Sequence, residues 1–479
     1  MSADERDLFL ALLFAAELLT SIRVLLRPHR QPATRIAWLV IIHMLPLVGM
    51  LSYLLFGEVY LGHRLSRQLR RTKKRLPTRA EWQLDLALPE AYLPLFKLAY
   101  SISGFLPVSG NSASLPADSN AVIDQLVTDI NQAQNHVHIV FYIWLPDHNG
   151  GKVVEALKSA AQRGVCCRVL VDSMGSRSLI HSEHWPALKT AGVKLAQALP
   201  IGKFPPFTGR IDVRNHRKIV VIDQRITYCG SQNCADPEFL PKAAFAPWVD
   251  MMLRFEGPIA AQNQYLFASD WMLHVHEDLS ALLKQPIATP LDTRVDTQVW
   301  AQILGTGPSV RASAVSEMFT LLIHSARRRL FITTPYYVPD ESMHNALCTA
   351  AYRGVEVKII FPARNDSWIV SAASRSYYAS LLQAGVQIYE YTGGLLHAKT
   401  LTFDGQISMI GSANLDRRSF DLNYENNMLI YSEAVTTQIS QRQQEYLAGS
   451  QAISLQQVRA WRLTRRLWNN SVAILGPLL

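Results

Sequence analysis

Cysteine is scarce in this chain: Cys166, Cys167, Cys229, Cys234 and Cys348 are an odd number of residues with no C-x-x-C pair among them. That excludes a complete disulfide framework and a cysteine-based zinc site, and the five read as ordinary semi-buried thiols. Charge is also thin, at 18% of 479 residues against 49% hydrophobic, which excludes a disordered chain and leaves room for two or three domains. There is no G-x4-G-K-[ST] phosphate loop, and no carboxylate cluster suited to Mg²⁺ stands near the motifs described below. Neither a metal nor another cofactor is therefore expected. The first seven residues, MSADERD, are net acidic and lack the positive start of a cleaved signal, so the N-terminal segment is expected to stay attached.

The formal charge of +9 is what is present in excess, and its position matters. Residues 1–75 hold 12 basic and 5 acidic groups, and residues 451–479 hold four Arg and no acid. The 375 residues between them carry 31 basic against 33 acidic groups. A protein that tracks a nucleic-acid backbone needs a basic main surface, whereas basic ends on a neutral body fit contact with an anionic membrane.

From Ile36 to Phe56, 21 residues carry no formal charge, enough at about 1.5 Å per residue to cross a hydrocarbon core of roughly 30 Å. This run reads as a transmembrane helix kinked at Pro46, with Trp38 and Tyr53 near the interfaces and Gly49 and Ser52 small enough for a close helix contact. The run before it, residues 8–26, carries Glu17 and Arg23. It reads either as a second span, rescued by a buried pair or polar inter-helix contact, or as an interfacial amphipathic helix. Arg64–Arg75 holds seven basic residues in twelve, against three Arg in the loop from Arg27 to Arg35. The richer flank places both ends of a helical hairpin on the cytoplasmic side.

Beyond residue 80 the sequence repeats. HVHIVFYIWLPD (136–147) is echoed by RRLFITTPYYVPD (328–340), each an apolar strand-like run after a helical-period stretch, 121–134 and 314–327. AAQRGVCCRVLVD (160–172) is echoed by AAYRGVEVKIIFP (350–362), with the Gly of each RGV expected as a helix C-cap. Strand, helix, strand given twice implies an α/β body of two similar halves. The expected division is a membrane module over 1–75, a first half over 76–288 and a second half over 289–479.

One pattern recurs at the same place in each half: H-x-K-x4-D-x6-G-S-x-N, at residues 216–233 and again at 397–414, with corresponding residues 181 apart. A single match has a chance on the order of 10⁻⁸ per starting position, so two in register are not accidental. The candidate site is thus His216, Lys218 and Asp223 with His397, Lys399 and Asp404, joined by Ser231, Asn233, Ser412 and Asn414. Side chains two apart on a strand share a face, so each His projects with its Lys. The Asp residues lie at an odd offset of seven and are expected to support the site without touching substrate. The Gly-Ser-x-Asn turns should return a hydroxyl and an amide towards the His-Lys face. Two imidazoles with cations and amide donors around one point suit phosphodiester chemistry, in which one imidazole attacks phosphorus and the other protonates the departing oxygen.

At these residues the sequence resembles the phospholipase D superfamily, whose signature is this duplicated HKD motif. With the N-terminal module, HMLPLVGMLSYLLFGE (43–58), TTPYYVPD and the Arg/Trp-rich end closing in GPLL, it resembles bacterial cardiolipin synthases over nearly its whole length. The resemblance implies a bilobal body of two phospholipase D-like halves behind a transmembrane helical hairpin, in the bacterial inner membrane. It implies phosphatidyl transfer between two phosphatidylglycerols to give cardiolipin and glycerol. His216 would form a phosphatidyl-histidine and His397 would serve as acid and then base. Lys218, Lys399, Asn233 and Asn414 would hold the phosphate, with Ser231 and Ser412 close by. It also implies that Asp250 orients His397 and Glu425 orients His216, each acid fixing the tautomer of a His from the opposite half.

The implied partners are anionic phospholipid and the membrane, without nucleic acid; the oligomeric state is left open. A hydrolase of the same superfamily, transfer to another alcohol, and an inactive membrane scaffold are the alternatives, the last opposed by intact His and Lys in both copies. The loop Phe204-Pro205-Pro206-Phe207 is expected either to dip into the bilayer or to pack on the body. Residues 459–468 (RAWRLTRRLW) form either an amphipathic helix at an anionic surface or one that lays its Arg side chains over the body.

Overall fold

Backbone polar groups in an apolar run must pair within the run, and the described apolar residues up to 57 do so as helices. The computed structural model describes residues 2–27, 32–58, 61–77, 88–200, 210, 212–284, 299–311 and 313–474. It divides into two compact units, one of Met1–Ser66 with Ile201–Asp212 and Pro477–Leu479, the other of Arg67–Pro200 and Val213–Gly476. The expected boundary at residue 75 differs from this division because the basic run is a helix, His63–Arg75, whose Thr72 hydroxyl donates to the Met272 carbonyl in the second unit. The expected boundary at 288 and the Phe204–Phe207 loop lie outside the described residues.

In the first unit α1 (Ala3–Leu26) starts on a capping box between Ser2 and Glu5. Its 24 residues are long and apolar enough to cross a membrane by length and composition. Its internal charges have partners. Arg23 donates twice to Glu58, at 2.6 and 2.8 Å, and Glu17 lies 3.5 Å from His43. The 21-residue apolar run, expected as one kinked span, is instead divided. α2 (Pro32–Met44) ends, Leu45 leaves the helical region at φ −135° and ψ 71°, and α3 (Pro46–Ser52) turns back. A Cβ on Gly49 would lie 2.5 Å from the Ile41 carbonyl oxygen, a contact impossible along one straight helix. Pro46 has no N–H to continue the ladder and pushes the residue before it out of the α region, while glycine at 49 allows the two helices to touch.

In the second unit β1 (Val108–Ser114) precedes helix Ser119–Gln132, β2 (His136–Phe141), helix His148–Gln162, β3 (Cys166–Asp172) and β4 (Lys194–Ala198). The hairpin of β5 (Ile219–Ile222) and β6 (Ile226–Gly230), the short β7 (Trp248–Val249) and β8 (Met252–Glu256) complete the first half. The second half repeats the order with β9 (Val299–Thr306), helix Ala314–Ser325, β10 (Arg329–Thr333), the short β11 (Tyr337–Val338), helix Glu341–Tyr352, β12 (Glu356–Pro362) and β13 (Gln387–Tyr391). Then come β14 (Leu395–Leu396), the hairpin β15 (Thr400–Phe403) and β16 (Ile407–Gly411), β17 (Leu415–Asp416), β18 (Glu425–Tyr431) and the closing β19 (Ser450–Ile453).

Fifteen of these strands form one sheet in the order β19-β13-β12-β10-β15-β16-β18-β9-β1-β8-β6-β5-β2-β3-β4. β1 and β9 pair antiparallel at its middle. Outward from them the neighbours match: β8, β6, β5, β2, β3, β4 on one side and β18, β16, β15, β10, β12, β13 on the other. The duplication in sequence is therefore a duplication of topology.

Helices cover the sheet. Val122, Leu126 and Leu157 pack on Val137 and Ile139 in the first half, and Met318, Leu322 and Leu347 on Ile332 and Ile359 in the second. A third core joins the halves through Phe255, Ile303, Ile410 and Met428. Each such side chain contributes about 1.5–3 kcal/mol on burial. The Gly of each RGV ends its helix at positive φ, +89° for Gly164 and +85° for Gly354, where a side chain would be strained.

Candidate active site

Each motif begins in an extended segment that enters a hairpin, and each segment bonds to the opposite half. The His216 N–H donates to the Tyr424 carbonyl at 2.9 Å, and the His397 N–H to the Val249 carbonyl at 2.8 Å. The residues that follow those two carbonyls are Glu425 and Asp250. One backbone bond in each case thus delivers a carboxylate to the imidazole beside it: His216 Nδ1 donates to Glu425 at 2.9 Å and His397 Nδ1 to Asp250 at 2.7 Å. A carboxylate only accepts, so each Nδ1 carries the proton and each Nε2 remains for chemistry.

The glycines make this approach possible. A Cβ on Gly230 would lie 2.3 Å from the Met251 carbonyl oxygen, and one on Gly411 would lie 2.5 Å from that of Asn426, each the residue after the acid. Ser231 and Ser412 then turn their hydroxyls to the carboxylates. Ser231 donates to Asp250 at 2.6 Å, and Ser412 to Glu425, which also accepts from Ser419 and Asn423. These serines, expected close to the phosphate, hold the acids. The Asn233 Oδ1 accepts from the Ile143 N–H at 3.2 Å, which leaves its amide N–H groups for the cavity.

His216, His397, Asn233 and Asn414 line one cavity of about 500 Å³. Lys218 and Lys399 are not among its lining residues. They are buried, each Nζ donating to the carbonyl of its own motif His at 2.8 and 2.6 Å. Burial pushes Lys218 down to about 7, helped by the charge of Lys399, and burial pushes Lys399 down to about 8. Two ammonium groups so destabilised favour an anion between the halves. Burial also drives His216 down to about 4, outweighing Glu425, and lowers His397, so both imidazoles are neutral at pH 7. Burial pushes the two acids up, but the His, Lys and Ser groups beside them outweigh it and hold Glu425 and Asp250 ionised.

Asp223 and Asp404 stand elsewhere. Both sit at hairpin turns with φ of +51° and +52°. Asp223 accepts from the N–H groups of Gln134, Asn135 and His136, and Asp404 from those of Arg327, Arg328 and Arg329. Counted in the motif but expected to stand away from substrate, they tie the turn to the start of β2 and β10. The odd offset from His placed them at the far end of the strand, and no sequence rule named their backbone partners.

The motif reading missed the flanks of the first copy. Arg217 donates to Asp270 at 2.6 Å and to the carbonyls of Thr306 and Glu425, and Asp172 accepts from the Asn215 N–H and from Arg214. Arg on both sides of a buried His, in RNHRK, was the available signal; the second copy has LLHAK and no such network. Tyr142 and Trp248 were missed as well. Their rings lie 4.9 and 4.7 Å from His216 and His397 and fix the imidazoles sterically. Among the described residues no group of His, Cys, Asp and Glu is arranged to hold a metal ion.

A family model described as "Cardiolipin synthase, PLD-like domain" matches residues 126–271 and 320–447, and one described as "Phospholipase D-nuclease N-terminal" matches residues 18–58. Cardiolipin synthase A of Yersinia pseudotuberculosis serotype IB (strain PB1/+) is 37% identical over 469 residues, covering 96% of this chain and 95% of the relative. Cardiolipin synthase A of Yersinia pestis matches to the same extent. The crystal structure of phosphatidylserine synthase from Haemophilus influenzae Rd KW20 superposes with a TM-score of 0.59 at 14% identity, over 81% of this chain and 100% of that one. That likeness is one of fold.

Proposed function

Since the chain belongs to the cardiolipin synthase family of the phospholipase D superfamily, and is thereby a membrane-associated phosphatidyltransferase, we propose that it joins two phosphatidylglycerols into cardiolipin through a phosphatidyl-histidine. The observation that carries the reading is the crossed pair of His–carboxylate contacts around one cavity. In the first step the neutral His216 Nε2 attacks phosphorus. The P–N bond forms, the P–O bond to the headgroup glycerol breaks, and a protonated His397 gives its proton to that oxygen. In the second step a hydroxyl of another phosphatidylglycerol gives its proton to His397, its oxygen bonds to phosphorus, and the P–N bond breaks. One phosphodiester replaces another, so the energy of the bond is conserved and no nucleotide enters.

The bound phosphodiester supplies what the empty site lacks. Its negative charge between the halves raises Lys218, Lys399 and His397 towards their protonated forms, so the general acid is charged when substrate is present. Asn233 and Asn414 donate to the equatorial oxygens, each such donor being worth about 3–4 kcal/mol in a water-excluded site. The basic helix His63–Arg75 supports placing the second unit on the cytoplasmic face.

Purified protein given phosphatidylglycerol vesicles without nucleotide is expected to release glycerol and cardiolipin in equal amounts. Phosphatidic acid as the main product overturns the transferase reading in favour of a hydrolase. His216→Ala should abolish an acid-labile phosphoenzyme. If His397→Ala abolishes it and His216→Ala does not, the two roles are exchanged.

A further inference from the structure

The last helix of the second unit, Leu463–Ile474, has two apolar faces where a packed helix needs one. Val472 and Asn469 are buried against helix Trp368–Ser376, which accounts for one face. At about 100° per residue, Leu463, Leu467 and Ile474 lie within roughly 40° of each other on the side opposite Val472. They are 68%, 58% and 73% exposed. Trp468 lies about 100° round the helix from Leu467, next to Val472, where it stacks on Trp368 with centroids 5.6 Å apart, and both indoles are more than half exposed.

The indole pair at the edge of this helix lies close in sequence to the active-site cavity. Trp368 follows the cavity residue Asp366 by two positions, and Asp366 is bonded at 2.5 Å to Lys242 of the first half. Leu240, 74% exposed, stands between the lining residues Phe239 and Pro241, and the lining residue Met174 is about half exposed. Exposed apolar side chains of both halves, Leu240 and Trp368, thus lie next in sequence or nearly so to residues that line the cavity. The charge of this segment has one sign: Arg459, Arg462 and Arg466 are exposed, Arg465 lies over Trp461 at 4.0 Å, and residues 451–479 contain no acid.

We propose that the second unit docks on the surface of an anionic bilayer through the exposed stripe Leu463, Leu467 and Ile474, flanked by the indoles of Trp468 and Trp368, so that the cavity opens into the lipid headgroup layer. Leu and Trp enter the boundary between headgroups and acyl chains, and the Arg side chains meet lipid phosphates. A lipid then reaches His216 and His397 by lateral movement and does not have to leave the membrane. The purpose given to the contact rests on the lipid reading of the site; the contact itself does not.

The test uses the full chain in phosphatidylglycerol-containing vesicles. Leu467→Cys, in a chain with Cys166→Ser and Cys348→Ser, carries an environment-sensitive fluorophore, and Glu155→Cys carries the same probe as a control on another surface. Lipids with a nitroxide quencher high on the acyl chain are expected to quench the probe at 467 severalfold more than the probe at 155. Equal quenching at the two positions overturns docking by this face, whether or not phosphatidylglycerol proves to be the substrate. The triple change Leu463→Ser, Leu467→Ser, Ile474→Ser is expected to lower turnover of bilayer phosphatidylglycerol at least fivefold and leave turnover of a water-soluble short-chain analogue unchanged. No loss on bilayers, or equal loss on both substrates, overturns the proposal.

Discussion

Glu425→Gln and Asp250→Asn change almost no volume, yet they are expected to damage different steps, and the difference measures which imidazole does what. Glu425 is completely buried and is the acceptor for His216 Nδ1–H, Ser412, Ser419 and Asn423. An amide there presents N–H to Nδ1, favours the Nε2–H tautomer and removes the lone pair that, in the proposed mechanism, attacks phosphorus. The comparable change in a Ser-His-Asp triad costs about 10⁴ in kcat, and loss of an orienting partner in metal sites costs about 10–100-fold. A loss of about 10²–10⁴, or about 3–5 kcal/mol of barrier, is therefore expected on phosphatidylglycerol for Glu425→Gln.

Asp250→Asn should cost a similar factor on that lipid, because His397 then protonates the leaving glycerol poorly. The discriminating substrate is phosphatidyl-p-nitrophenol, whose leaving group needs no proton. In rapid mixing, the burst of nitrophenol from Asp250→Asn should fall less than about tenfold, while that from Glu425→Gln stays depressed by the full factor. Equal losses in both variants on both substrates, with unchanged melting temperatures, would refute the division into nucleophile and acid.

Three further outcomes follow from the geometry. Asp404→Ala removes the acceptor of three backbone N–H groups at the β15–β16 turn and should lower stability by about 2–3 kcal/mol, read as a fall in melting temperature, with little change in phosphoenzyme formed per folded molecule. Gly411→Ala drives a methyl into the Asn426 carbonyl and the Asn427 side chain, and is expected to cut turnover at least tenfold by moving Glu425; wild-type turnover would show that the strands have slack. His216 is held near 4 against about 6.5 unfolded, so its neutral form adds stability above pH 6.5 that is lost as pH falls towards 4, about 2 kcal/mol of it by pH 5. Denaturant midpoints at pH 7 and pH 5 should differ less in His216→Asn than in the native chain, and an identical difference would contradict the burial that lowers this group.

Much of the site was legible in the chain because it was written twice. The pair of H-x-K segments, the matching RGV turns and the helices before them all follow from spacing, since period 2 and period 3.6 are local properties. Composition likewise located the basic ends and the neutral body. Spacing did not name partners that lay across the sheet. Asp223 and Asp404 share the motif with the catalytic pair but face backbone N–H groups nearly ninety and eighty residues earlier. Ser231 and Ser412 were near enough to substrate by sequence, and only the approach of β8 and β18 gave their hydroxyls to Asp250 and Glu425. The apolar run 36–56 has the length of a span, but Pro46 removes a donor and Gly49 permits close return, so hydropathy read its composition and not its path.

The sequence by itself determined the chemistry available: two imidazoles, two ammonium groups, two amides, an apolar N-terminal module, and no phosphate loop. Tertiary structure decided how those groups are used. His216 meets Glu425 across 209 residues and His397 meets Asp250 across 147, because a backbone hydrogen bond one residue away sets each approach. A side chain's type is fixed by the chain, but its tautomer, charge and partner depend on desolvation and on atoms within about 3 Å, and at this site those atoms come from the other half of the fold.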